Sequence, residues 1–336
     1  MNGRRVLVTG GAGFIGSHLV DRLLSDGYHV TVLDNFSTSK PANLAQHNGN
    51  LHLKVVEVDV ADFEKIIPHF AGQEMVFHMA ALADIVPSIV NPRGYFWSNV
   101  QGTMSVVEAS RLSGVKRFLY TASTSCYGIP LKEYFPTPET APINPRYPYA
   151  FTKYIGEQTA LHWGHVYKLP VVSLRLFNVY GPRARTTGTY GAVFGVFFAQ
   201  KLAGKPYTIV GDGNQKRDFT YVSDVVDAFM AAALSDVRNE ILNVGTGNPQ
   251  SVNRLAELLA GEKVHIPKRP GEPDCTWADI SKIQSMIGWN PKVSFEEGVA
   301  KSLQYIDYWK DAPVWTPEKI EKATADWFKY LQVGKD

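Results

Sequence analysis

The segment Thr9-Gly10-Gly11-Ala12-Gly13-Phe14-Ile15-Gly16 constrains this chain more than any other. Residues 6–9 before it are a short apolar run suited to a buried parallel strand. Residues 14–24 after it carry apolar groups at helical spacing, closing near Asp26-Gly27. A strand that passes into a helix through glycines is a dinucleotide-binding pattern. Gly10 permits the tight turn, Gly13 lets backbone approach a pyrophosphate, and Gly16 lets the helix close on the sheet. Phosphates would then meet the free N–H groups and positive dipole end of the helix. The plainer reading is a glycine-rich turn with no ligand; its placement at the first strand–helix junction favours the cofactor loop.

The same alternation continues. Strands are predicted over 30–33, 53–58, 75–78, 117–120 and 171–176, with helices over 95–112 and 149–167 between them. That order indicates an α/β fold with a doubly wound parallel Rossmann sheet. After Tyr180-Gly181-Pro182 the pattern becomes irregular and richer in loops, with a strand over 207–210, a helix over 224–233 and a strand over 241–244. We read 1–177 as the dinucleotide-binding domain and 178–336 as a smaller α/β substrate lobe, with 240–246 able to return to the main sheet. The lobe would lie over the C-terminal ends of the strands, where open α/β sheets bind ligands.

Composition narrows the function classes. A formal charge of +2 over 336 residues suggests neither a nucleic-acid nor a membrane surface. Cys126 and Cys275 are the only cysteines and have no CxxC spacing, so a reducing cytoplasm is expected. Met1-Asn2-Gly3-Arg4-Arg5 has the charge of a signal peptide, but the apolar stretch behind it is cut by glycines. No run approaches the length of a membrane span. The nine histidines show no ligand spacing, so no metal is expected.

Asp34 closes the second strand about 20 residues after the loop, where an acid can hold adenosine ribose hydroxyls and repel a 2′-phosphate. It could equally open a turn with Asn35. Asp59 stands similarly after the third strand, facing adenine or merely ending the strand. Tyr149-Ala150-Phe151-Thr152-Lys153 sets a phenol and an ammonium on one face of a helix. The lysine is expected to lower the phenol pKa and make Tyr149 a base. An exposed helix pair is the alternative. Ser123-Thr124-Ser125 follows a strand end, where a hydroxyl can bond the oxygen whose proton Tyr149 takes, or form only a polar turn.

With these residues in place, the chain resembles the extended short-chain dehydrogenase/reductase family and, within it, the nucleotide-sugar 4-epimerases. The resemblance runs through TGGAGFIG, His78-Met79-Ala80-Ala81, Asn99-Val100-Gln101-Gly102-Thr103, the serine cluster, YAFTK, Leu174-Arg175-Leu176-Phe177-Asn178, Arg217-Asp218-Phe219 and Arg269-Pro270-Gly271-Glu272. It implies NAD reduced and reoxidised in each turnover, with Ser123, Tyr149 and Lys153 catalytic. The cofactor set it implies adds Phe14, Ile15, Asn35, Val60, Ala80, Ala81 and Asn99 to the glycines and Asp34, Asp59, Tyr149 and Lys153. Substrate would meet Ser123, Thr124, Ser125 and Asn178, its diphosphate Arg217 and Arg269.

Within that family, dehydratases and decarboxylases place an acid just after the catalytic hydroxyl; Thr124-Ser125-Cys126 has none, though Asp84 is a nearby candidate. Thr276 stands where similar epimerases gate the space around the sugar 2-substituent. Its small side chain points to UDP-GlcNAc/UDP-GalNAc, with UDP-Glc/UDP-Gal as a further pair. Ala83 stands where many 4-epimerases carry lysine. A non-catalytic NAD-binding sensor is the reading from another class, disfavoured by the intact Ser123, Tyr149 and Lys153. The helices 95–112 and 149–167 match those that form a four-helix bundle in related dimers, so a homodimer is expected.

Overall fold

The computed structural model describes residues 3–185 and 192–331; the remainder of the two expected domain spans, with Met1 and Asn2 of the leader reading, lies outside the described residues. Seven parallel strands form the main sheet. In chain order they are β1 (Arg5–Thr9), β2 (His29–Asp34), β3 (Leu53–Glu57), β4 (Met75–His78), β5 (Arg117–Ser123), β6 (Val171–Leu176) and a late strand, Glu240–Val244. Across the sheet the order is β3-β2-β1-β4-β5-β6 and then Glu240–Val244, so the 240–246 segment does return to it. The order reverses between β1 and β4, and ligands of doubly wound sheets bind in the crevice at that point.

Local chemistry explains the strands. Both faces of a parallel sheet are covered, so its strands are apolar on both sides. Val6 and Val8 pack into the core on one face while Leu7 packs into the core on the other. Each such side chain contributes about 1.5–3 kcal/mol by leaving water. Helix Phe14–Ser25 and helix Val222–Leu234 cover the first face. Helices Gly102–Leu112 and Pro148–Tyr167 cover the second.

Three expectations change. Strand 117–120 runs on to Ser123, which puts that hydroxyl at the strand's end. Helix 95–112 is interrupted. It starts as Pro92–Tyr95, widens to i→i+5 bonding over Phe96–Gln101, and becomes regular at Gly102–Leu112. Such widened turns recur at functional sites, where they re-aim a side chain, here Asn99. The C-terminal lobe is also more helical than its irregular sequence suggested, with Val193–Leu202, Val252–Leu259, Phe295–Leu303 and two short terminal helices. Its core is aromatic: Tyr180 stacks on Phe194 at 4.3 Å, and Trp309 lies 4.7 Å from Phe198. Among the described residues, no helix is long and apolar enough to cross a membrane.

Candidate active site

The loop after β1 is closely built. Gly10 has φ +66°, and a Cβ there would lie 2.7 Å from the Ala80 nitrogen. A Cβ on Gly16 would lie 2.2 Å from the Gly10 carbonyl oxygen. Any larger residue at either position would push the loop off the sheet or the helix off the loop. Gly13 precedes helix Phe14–Ser25 with no side-chain cap, and the first turn carries no acid. The amides of Phe14, Ile15 and Gly16 therefore face outward with no intrahelical acceptor, under a positive dipole end. These features fit the pyrophosphate of a dinucleotide.

Asp34, nearly buried at the end of β2, accepts from Ala12 N at 3.0 Å, Phe36 N at 2.9 Å and Ser39 Oγ at 2.7 Å. It therefore opens the turn that the sequence offered as the alternative, and it also braces the glycine loop through Ala12. Asn35 accepts from Ser37 N at 3.1 Å, closing the same turn. Asp59 accepts from Ala61 N at 2.9 Å, and Val60 is buried against the start of helix Gly102–Leu112.

A buried relay joins this loop to helix Pro148–Tyr167. Ala80 N donates to Thr9 Oγ1 at 3.2 Å, with Ala81 next in the same partly buried stretch. His78 Nδ1 lies 2.7 Å from Thr9 Oγ1 and Nε2 3.0 Å from Thr103 Oγ1. Thr103 donates to the Asn99 carbonyl at 2.6 Å, so it accepts from His78 Nε2, and Nδ1 accepts from Thr9. Burial holds His78 neutral, its pKa lowered to about 3. Asn99, 1% exposed, accepts from Leu82 N at 2.7 Å and donates to Leu82 O and to Thr152 Oγ1, both at 3.0 Å. Asn99 thus staples the 80–82 stretch to the helix that carries Tyr149 and Lys153. The sequence showed the HMAA run but not what His78 does, because its partners lie 25 and 69 residues away.

Helix Pro148–Tyr167 starts where Pro148, at its first position, sets φ for the turn. Tyr149 comes next, two residues after Tyr147, whose ring lies nearly parallel to it at 6.4 Å. The Tyr149 phenol has a hydrogen bond with Ser123. Ser123 Oγ lies 2.8 Å from Ser125 Oγ and accepts from Ser125 N, while Thr124 donates to Leu176 O at 3.1 Å. Ser123 therefore stands at the phenol with Ser125 behind it, and Thr124 instead ties the strand end to β6.

The electrostatics correct one expectation. Tyr149 is raised rather than lowered: burial pushes the phenol up, and the Ser123 bond pulls it part of the way back. Lys153 is itself lowered to about 7 by burial, its ammonium 4.5 Å over the Tyr120 ring and pulled upward by Glu157 one turn on. The i, i+4 spacing places the pair on one helix face, and desolvation is the largest cause of both shifts. Glu157 in turn is locked to Arg175 at 2.6 Å and to Ser173 at 2.9 Å, anchoring the helix to β6.

The substrate-lobe residues gather beside Tyr147. Thr276 Oγ1 donates to Asn178 Oδ1 at 2.8 Å and accepts from Asp218 N at 3.1 Å. A backbone bridge between Lys216 and Cys275 brings the 269–276 segment against Arg217. Glu272 sits between the two guanidiniums, 2.8 Å from Arg217 and 3.9 Å from Arg269. The charges of Glu272 and Arg217 both reach Tyr147. The sequence reading did not assign Glu272 a role. Asp84 is ion-paired to Arg185, and Ala83 O accepts from Tyr95 OH. Among the described residues no cluster of three metal-ligating side chains occurs.

Comparison with known proteins agrees with this geometry. The family model "NAD dependent epimerase/dehydratase family" matches residues 6–245. A UDP-glucose 4-epimerase of Mycolicibacterium smegmatis is 37% identical over 310 residues, 90% of this chain and 98% of that one. A UDP-N-acetyl-alpha-D-glucosaminuronate decarboxylase of Bacillus cytotoxicus is 31% identical over 317 residues, 90% of this chain and 97% of its own length. The UDP-N-acetylglucosamine 4-epimerase from Methanobrevibacter ruminantium M1, solved in complex with UDP-N-acetylmuramic acid, superposes with a TM-score of 0.85 at 33% identity, covering 91% of this chain and 99% of that one. The glycine cradle, the braced Asp34 and the Ser123–Tyr149–Lys153 group thus belong to a member of the NAD dependent epimerase/dehydratase family, with NAD as its cofactor and nucleotide-sugar epimerases among its relatives.

Proposed function

We propose that this enzyme inverts C4 of a UDP-sugar through a transient 4-keto sugar, with UDP-GlcNAc/UDP-GalNAc as the preferred pair and UDP-Glc/UDP-Gal as a second. The observation that carries it is the Tyr149 phenol bonded to Ser123, two residues from Tyr147, whose ring feels the charges of Arg217 and Glu272. NAD, when bound, supplies the hydride acceptor and donor and a positive charge that favours the phenolate. Tyr149 takes the proton of the sugar 4-hydroxyl and later returns it, while Ser123 holds that oxygen by a hydrogen bond. Lys153, with a pKa near neutrality, stands within the same enclosure to steady the phenolate. Arg217 and Arg269 hold the diphosphate, since planar guanidiniums match phosphate oxygens in pairs. Glu272 keeps the two forks facing each other.

Asp84 counts against dehydration. A carboxylate paired with Arg185 has no proton to give a departing 6-hydroxyl, although burial pushes its pKa up. Thr276, bonded to Asn178, leaves the space of a small side chain beside the sugar. The chain acts as a cytoplasmic homodimer in this reading, through a four-helix bundle of the helices around 95–112 and 149–167. Phe96, Trp97, Met104, Phe151 and Tyr167 leave apolar surface uncovered there.

A panel of UDP-sugars followed by NMR in deuterated water tests the assignment. Epimers at C4 without solvent deuterium are expected, with the acetamido sugars turned over faster; deuterium at C5 or C6 would mean dehydration instead. In the same panel Thr276→Tyr should lower acetamido turnover about tenfold or more relative to the hydroxyl sugars, as a pocket filled by a ring excludes the larger group. An unchanged ratio rules out the gate.

A further inference from the structure

The relatives are matched over 98% and 99% of their own length, yet cover only 90–91% of this chain. The family match spans residues 6–245, and the chain continues beyond it to residue 336. The C-terminal segment is firmly built into the molecule. Trp309 and Trp327 are buried, and Tyr308 OH donates to Asn43 Oδ1 at 3.0 Å. Asn43 Nδ2 in turn donates to Ala12 O, within the glycine loop.

The last helix, Ala325–Tyr330, meets the proposed diphosphate clamp. Trp327 Nε1 donates to Pro270 O at 2.6 Å, and the Arg269 guanidinium lies over the indole at 5.3 Å from its centre. Tyr330 and Leu331 form one wall of a groove whose other walls are Asn144, Pro145, Arg146 and Gly271. Those three residues lead directly into Tyr147 and Tyr149. The helix also packs against helix Ile85–Val90.

We propose that the C-terminal segment completes the diphosphate subsite, with Trp327 as a positioning residue that aims Arg269 at the ligand. The proposal rests on the diphosphate reading of Arg269. An aromatic face under a guanidinium fixes its plane without using its N–H donors, which lie in that plane. The indole N–H bond to Pro270 holds the loop on which Arg269 stands. One tryptophan thus constrains both the backbone and the fork of the residue that meets the phosphates, without touching them itself. It tightens binding of the nucleotide diphosphate and leaves the chemical step alone.

Calorimetric titration of the NAD-loaded full-length protein with UDP and with UMP, alongside kcat and KM, tests this. Trp327→Leu should weaken UDP about tenfold, narrow the UDP-over-UMP preference, raise KM and leave kcat within about twofold. In an Arg269→Ala background the same change should cost less than about twofold, because its effect acts through that arginine. Trp327→Phe, which keeps the ring but loses the Pro270 bond, should weaken UDP about two- to threefold, and it carries the test if the leucine variant does not fold. Equal losses with and without Arg269 would reduce Trp327 to a packing role and overturn the proposal, as would unchanged UDP affinity in both variants. Arg269→Ala with undiminished UDP affinity would instead overturn the diphosphate reading itself.

Discussion

A tyrosine serves as a base only when its phenolate is made affordable, and here the protein alone does not achieve that. Burial raises Tyr149, which stays a neutral phenol in the chain by itself, and lowers Lys153 to about 7, where amine and ammonium are balanced at neutral pH. The Ser123 hydrogen bond is the part of the device visible in the polypeptide, and NAD's charge is the part it leaves to the cofactor. Tyr149→Phe should therefore retain NAD while kcat falls about 10²–10⁴-fold, the usual range for a lost general base. Rapid-quench turnover and the NAD content of the purified variant check this; near-normal kcat would remove Tyr149 from the role. The tyrosine and lysine were legible in the sequence because four residues on a helix is a local relation. The direction of their shifts was not, since it depends on how deeply Pro148–Tyr167 is packed.

At the level of elements, the strand–glycine–helix unit was readable because each cause lies within a few residues. The pairings that hold the site together were not. Asn99 reaches Leu82 and Thr152, 17 and 53 residues away, and its aim depends on the widened turn Phe96–Gln101. The irregular look of the C-terminal lobe misled for a related reason. Its short helices are stabilised by aromatic packing between distant residues, such as Phe198 on Trp309, rather than by long local periodicity. The relay through His78 has a pH signature. Its folded pKa of about 3 lies below the ordinary 6.5, so between those values the unfolded chain binds more protons. Stability should be fully present above about pH 6.5 and decline as the pH falls towards 3, by a few kcal/mol in all. Chemical denaturation from pH 7 to 4 should show His78→Gln losing less stability over this window than the wild type; parallel slopes would mean the imidazole is not held neutral.

For the whole molecule, the sheet places its switch point under the substrate lobe, and the C-terminal segment returns across the mouth to the clamp. Trp97, Met104 and Phe151 leave apolar surface exposed on the helices around 95–112 and 149–167. If that surface is the homodimer interface, Trp97→Glu with Phe151→Glu should give a monomer in sedimentation equilibrium, with NAD retained. A dimer of unchanged affinity would move the interface elsewhere. The late strand Glu240–Val244 shows why domain boundaries are hard to read from one sequence: it pairs with β6 across the 177–239 stretch, whose helix Val222–Leu234 also packs on the main sheet.

The central claim is that hydride leaves C4 and comes back to the same carbon within one active site. UDP-N-acetylglucosamine deuterated at C4, incubated with the enzyme without added reductant, tests it most directly. The C4 epimer should form with the deuterium still at C4 and none gained from solvent. Loss of the label to water, or its transfer to another carbon of the sugar, would contradict the mechanism.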